Sequence, residues 1–201
     1  RLGPKGLGPW AAIRSPIATD AMNKANALDA AIRPIKAGYE MLGQALTVRA
    51  IAGDITPLLH ALSVAQADDV LMVDAGGYAD NAVLGGNMTN EAVRRGMAGL
   101  VIDGAMRDVS EIRDMDIPCF TRAITPAGPN FSQIGDVGAP ISCGGVQVKT
   151  GDLVIGDDDS EIEQKLLGMR RALSFYGSTR TYHEVLRTHG LEELGQKLHA
   201  L

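Results

Sequence analysis

Two strand-length apolar runs, each ending in aspartate and glycine, constrain this fold more than any other feature of the chain. They are Val70-Leu71-Met72-Val73-Asp74-Ala75-Gly76-Gly77 and Leu100-Val101-Ile102-Asp103-Gly104. An unbroken apolar run of this length has no polar face to offer to water. It suits a strand covered on both sides, the usual condition of a parallel sheet. Glycine after each run releases the chain into a loop at the strand's carboxyl end, where open α/β sheets place their ligands. The expected core is therefore a parallel α/β unit with these runs as neighbouring strands.

Between them lies Gly85-Gly86-Asn87-Met88-Thr89, followed by a helix predicted from Thr89 to Arg95, with Thr89 capping its start and Gly96 closing its end. Free N–H groups at a helix amino terminus, with no β-carbon at Gly85 or Gly86 to obstruct them, suit a carboxylate or phosphate. The same glycines would equally serve a tight turn from strand to helix. Arg107-Asp108, eighteen positions beyond Thr89, complements an anion cradle. Arginine presents a planar fork to a carboxylate or enolate oxygen, and aspartate can hold a divalent metal. The alternative is a surface ion pair opening a helix from Asp108 to Arg113, with Asp108 as its cap.

Elsewhere, residues 1 to 14 are rich in Gly and Pro, contain the only tryptophan, Trp10, and read as an arm. A helix is predicted from about Asp20 to Leu28 and a strand from Gln44 to Ala50. Thr56-Pro57 signals a further helix, capped by Thr56 and running to about Gln66. After Pro118 the pattern shifts to short β segments at Cys119 to Arg122, Ile141 to Cys143, Val146 to Lys149 and Leu153 to Ile155. Turn signals at Ala127-Gly128-Pro129-Asn130 and Gly144-Gly145 separate them. From Ser160 onward the chain reads as amphipathic helix, with Ile162, Leu166, Met169 and Leu173 on one stripe. The expected organisation is an α/β domain over residues 1–159 and a helical appendage over 160–201, for packing or for clamping an oligomer.

With 201 residues and 45% apolar content, the chain can bury a full core in one domain. Its net charge is −5 and its basic residues are scattered, so neither a nucleic-acid partner nor a membrane surface is expected. The apolar runs are strand-length and no signal pattern opens the chain, which makes a cytoplasmic protein the expectation. Cys119 and Cys143 lack the spacing of a zinc site and read as core thiols. His60 reads as structural, and His183, His189 and His199 as surface residues.

The motif residues resemble the family of the regulator of RNase E activity A (RraA), which includes divalent-metal pyruvate aldolases acting on 4-hydroxy-4-methyl-2-oxoglutarate. The resemblance rests on Gly85-Gly86-Asn87-Met88-Thr89 and on Arg94-Arg95-Gly96-Met97-Ala98-Gly99 running through to Arg107-Asp108. Upstream it takes in Ala18-Thr19-Asp20-Ala21-Met22, Ala31-Ile32-Arg33-Pro34 and Ala45 to Ala50. Downstream it takes in Ile141 to Val146 and Gly151 to Asp159.

The resemblance implies a layered β/β/α sandwich of the swivelling-domain type, assembled as a homotrimer or hexamer with sites between subunits. It implies that a small 2-oxo acid binds at Gly85, Gly86, Asn87, Met88 and Arg107. Arg107 and Asp108 would be the catalytic pair, with Asp108 holding the metal. One carboxylate plus waters suits Mg²⁺ or Mn²⁺ better than zinc. The expected reaction is C–C cleavage to a pyruvate enolate, by aldol cleavage or oxaloacetate decarboxylation; the alternative is a non-catalytic, protein-binding regulator of ribonuclease activity. Two departures stand out. The family's aldolases carry an acidic residue twenty-one positions before the arginine, where this chain has Gly86, so decarboxylation should survive better than aldol cleavage. After Asp159 the family's glycine and valine-rich closing strand is replaced by Ser160-Glu161-Ile162-Glu163-Gln164.

Overall fold

In the computed structural model, which describes residues 2–132 and 135–158, the Gly- and Pro-rich start of the chain is structured rather than a bare arm. Helix α1 (Gly3–Leu7) runs into a 3-10 turn over Gly8–Trp10. Leu7 is buried while Trp10 stays exposed, and the Leu2 N–H donates to Gln44 Oε1 at 2.6 Å.

Helix α2 (Ser15–Ala21) lies earlier than the helix predicted from Asp20 to Leu28. Pro16 starts it, in the first turn where a missing N–H costs no helical bond. It stops because Asn23, Lys24 and Asn26 all take positive φ, at 56°, 63° and 63°. Left-handed residues so close together cannot continue a right-handed helix.

The remaining elements among the described residues are β1 (Arg33–Pro34), β2 (Glu40–Ala50), α3 (Thr56–Val64), β3 (Asp69–Asp74), β4 (Ala82–Leu84), α4 (Gly86–Arg94), β5 (Gly99–Met106), α5 (Val109–Ile112), β6 (Cys119–Ile124), β7 (Gly135–Val137), β8 (Ile141–Cys143), β9 (Val146–Val148) and β10 (Leu153–Asp157). The main sheet has the order β1-β6-β5-β3-β2-β10, with β4 paired to β5 and β7 to β2. Strands β2, β3, β5 and β6 run parallel, while β1 and β10 close the edges antiparallel. The two apolar runs are thus adjacent, Asp74 level with Asp103.

Alternation along the central strands builds the three layers. Leu71 and Val73 of β3, with Leu100, Ile102 and Met106 of β5, face Leu58 and Leu62 of α3, Met88 and Ala92 of α4, and Ile112 of α5. Val70, Met72 and Val101 point the other way, onto Ile141, Cys143 and Val148 of the β8–β9 hairpin. Hairpin, sheet and helices are the expected β/β/α stack. Gly144 and Gly145, at φ 53° and 78°, form the two-residue turn of the hairpin, where both central residues need positive φ. Each fully buried Leu, Ile, Val or Met contributes about 1.5–3 kcal/mol through lost apolar hydration.

Three local readings change. Thr56 does not cap α3; the carboxylate of Asp54 accepts its N–H at 2.7 Å instead. The strand β4, too short at three residues to stand out in the sequence, intervenes between the first apolar run and the glycine pair. And α4 begins at Gly86 rather than Thr89. The amphipathic segment from Ser160 and the altered closing segment lie outside the described residues. No helix among the described residues is long and apolar enough to cross a membrane.

Candidate active site

The carboxyl ends of β4 and β5 bring the two predicted motifs together. Leu84 is level with Met106 in a parallel pair, and the Arg107 N–H donates to the Leu84 carbonyl at 2.9 Å. Gly85 and Gly86 follow Leu84 directly, so backbone pairing alone sets them beside Arg107 and Asp108. Gly85 is extended (φ −148°) and caps α4. A β-carbon there would fall 2.6 Å from Asp108 Oδ2 and 3.0 Å from Arg107 Cγ, so only glycine leaves room for both side chains.

Asp108 sits in the left-handed region at φ 57° and makes no side-chain cap on α5, contrary to the capping alternative. Its carboxylate turns back instead. Oδ2 accepts the Gly86 N–H at 3.1 Å and lies 3.5 Å from Arg107 Nε. A negative charge on the first N–H of a helix is favoured by the unpaired donors and the dipole. Asp108 Oδ1 has no hydrogen bond among the described residues. Both side chains stay partly exposed, at 41% for Arg107 and 43% for Asp108, which leaves them reachable by a small molecule. The guanidinium reaches across to the turn after β6, where Nη1 lies 3.1 Å from the place a β-carbon on Gly128 would take.

The glycine pair lies at the head of α4, and fewer of its N–H groups are open than the sequence suggests. Gly85 has become the cap and the Gly86 N–H is taken by Asp108. Asn87 and Met88 belong to the first turn of α4, and their N–H groups have no acceptor among the described residues. Thr89, buried, donates its hydroxyl to the Gly85 carbonyl at 3.1 Å, one turn back along the helix.

Glu111 is a site residue that the sequence reading misses. It lies on the single turn of α5, and its carboxylate covers Gly86: Oε2 and Oε1 are 2.8 Å and 3.0 Å from where a β-carbon on Gly86 would be. No local pattern marks it, because Glu111 meets Gly86 only once the pairing of β4 with β5 has set the two motifs side by side. Gly128 is legible in the sequence only as part of a turn.

The aspartates that end the apolar runs do other work. Asp103 is buried, pairs with Arg122 Nε at 2.6 Å and accepts the Gly144 N–H at 2.6 Å. Arg122 also holds Asp29 at 2.9 Å, and these hydrogen bonds, first to Asp103 and then to Asp29, raise its pKa. Asp74 accepts N–H groups from Gly76 and Ser142. Together they tie the hairpin to the sheet. Cys119 and Cys143 are free, buried thiols; burial pushes both up to about 12, helped at Cys143 by the charges of Asp103 and Asp74. His60 is exposed on α3.

Among the described residues, no three His, Cys, Asp or Glu side chains converge on one point. The donor at hand is a hard oxygen, Asp108 Oδ1. One carboxylate oxygen completed by water fits Mg²⁺ or Mn²⁺, which keep several waters, better than zinc.

Comparison with known proteins agrees with this architecture. The family model described as RraA-like, Aldolase/RraA, matches residues 16–161. A relative from Halalkalibacterium halodurans, provisionally named 4-hydroxy-4-methyl-2-oxoglutarate aldolase, is 36% identical over 141 residues, covering 70% of this chain and 67% of its own. The 4-hydroxy-4-methyl-2-oxoglutarate aldolase of Thermus thermophilus is 39% identical over 93 residues, 46% of this chain, and the match spans little more than half of that relative, 57%. Among solved structures, the RNA-processing inhibitor RraA from the same Thermus species superposes with a TM-score of 0.67 at 31% identity, over 73% of this chain and 89% of that one.

Proposed function

This chain belongs to the RraA-like family, and on that premise we propose that it is a divalent-metal-dependent lyase that breaks a C–C bond of a 2-oxo acid to leave a pyruvate enolate. One observation carries the reading: the β4–β5 pairing holds an arginine and an aspartate, both reachable, against the amino terminus of α4. The names of the aldolase relatives support it.

In this proposal the substrate carboxylate takes the open N–H groups of Asn87 and Met88. The Arg107 guanidinium then faces the 2-keto oxygen. As the C–C bond breaks, electron density moves onto that oxygen, and Arg107 is placed to hold it. A preorganised donor of this kind is typically worth about 10²–10³ in rate. Asp108, already oriented by the Gly86 N–H, is the residue that would hold Mg²⁺ or Mn²⁺ through its free oxygen. The ion, when bound, supplies further Lewis-acid stabilisation of the enolate charge. Oxaloacetate decarboxylation asks nothing more, since CO₂ departs without a proton to remove.

The likeness to the RNA-processing inhibitor supports a second reading, a protein-binding regulator of ribonuclease activity without catalysis. Pyruvate release discriminates them. Purified protein should form pyruvate from oxaloacetate, and from a 4-hydroxy-2-oxo diacid, only with Mg²⁺ or Mn²⁺ present, and chelator should stop it. Absence of pyruvate from both substrates with either metal would rule out the lyase and leave the regulator.

A further inference from the structure

Aldol cleavage, unlike decarboxylation, needs a group to take the proton from the C4 hydroxyl. We infer that Glu111 is that proton acceptor. The inference rests on the lyase reading of the same site.

Two carboxylates lie against the glycine pair. Asp108 is committed, its Oδ2 bound by the Gly86 N–H and paired with Arg107. Glu111 has no hydrogen-bond donor and no ion-pair partner among the described residues, yet it is held over Gly86, its oxygens 2.8 Å and 3.0 Å from the missing β-carbon. An exposed glutamate with nothing to bind normally extends into water; this one lies over a buried glycine at the head of α4. Gly86 is not among the residues with positive φ, so its backbone does not demand glycine. What its missing side chain does provide is the space Glu111 uses.

The step balances within substrate and protein. The C4 hydroxyl proton passes to the Glu111 carboxylate, directly or through one water, and the O–H electrons form the C4 carbonyl. The C3–C4 bond breaks and its pair becomes the enolate of pyruvate at Arg107. Proton return to C3 gives pyruvate and restores ionised Glu111. The substrate class is a 4-hydroxy-2-oxo acid.

The test compares rates of aldol cleavage and of oxaloacetate decarboxylation in the full chain with Mg²⁺. Glu111→Gln should lower the ratio of the two by about 10²–10⁴, the usual worth of general-base assistance. Glu111 lies at the surface, so this variant leaves the core intact, and circular dichroism checks its fold. A second variant moves the carboxylate: in Glu111→Ala with Gly86→Asp, the new side chain starts 2.8–3.0 Å from where the Glu111 oxygens were, and the ratio should recover at least tenfold over Glu111→Ala alone. Wild-type protein inactive on both substrates overturns the lyase reading and this inference with it. Wild-type protein that decarboxylates but never cleaves the aldol, or a Glu111→Gln variant that keeps the wild-type ratio, overturns the inference alone.

Discussion

Asp108 combines an uncomfortable backbone with a useful side chain. A left-handed conformation costs an ordinary residue about 1–2 kcal/mol, and Asp and Asn bear it best among those with side chains. Asp108→Asn keeps the shape, the φ of 57° and an oxygen for the Gly86 N–H, and loses only the charge. It should therefore melt within a few degrees of wild type while losing metal-stimulated pyruvate formation. Asp108→Ala should lose the same activity and about 1 kcal/mol of stability besides, readable as a shifted urea midpoint. Gly85→Ala tests the close approach: its β-carbon would meet two movable side chains, Asp108 and Arg107, so the fold should survive while turnover drops at least tenfold. Arg107 and Asp108 were legible in the sequence because their types and adjacency carry the chemistry. Glu111 was not, because its relation to Gly86 spans twenty-five positions and exists only once β4 and β5 have paired. The Gly86→Asp change that the sequence suggests as a repair now meets Glu111, which is why it belongs in a background lacking that carboxylate.

At the level of elements, the long apolar strands were legible and the short pieces were not. Strands β3 and β5 announce themselves through uninterrupted apolar runs buried on both faces. Strand β4 has three residues and is defined by its partner, so no local pattern could reveal it. The start of α4 was misplaced because Thr89 looks like a cap, whereas the cap is a glycine chosen for what packs on it. The small strand matters beyond its size. Leu84 is 1% exposed, and its carbonyl receives the Arg107 N–H. Leu84→Ala should cost about 2–5 kcal/mol in chemical denaturation, as large-to-small changes in a packed core do. It should also loosen the arginine, so the surviving folded protein should show a lower kcat.

For the whole molecule, the two buried thiols make a prediction with a definite sign. In the fold they ionise only near about 12, against a usual value of 9.0. The neutral thiol is the folded form, so this contribution to stability is complete below about pH 9 and is lost as pH climbs toward 12. Thermal melts should fall across that window, and a thiol reagent at neutral pH should label both cysteines only after denaturation. Assembly as a homotrimer or hexamer is proposed, supported by exposed Ile124 and Phe131 near the turn that Arg107 reaches. Light scattering should give three or six chain masses; one chain mass would sink it. Ending the chain after Asp159 should spare ligand binding, because the motif loops lie upstream and Asp157, which receives both the N–H and hydroxyl of Ser15, is retained.

The pairing of β4 with β5 also acts as a ruler. From Gly86 the chain goes out along α4 and returns along β5, arriving at Arg107 level with its starting point. One residue inserted within α4 would rotate the remainder of that helix by about 100°. One inserted within β5 would send every later side chain to the opposite face. The connection between β3 and β4, and the stretch from α5 to β6, lie outside that circuit. Length changes belong in those two places, and relatives that differ in size should carry their extra residues there while the count from Gly86 to Arg107 stays fixed.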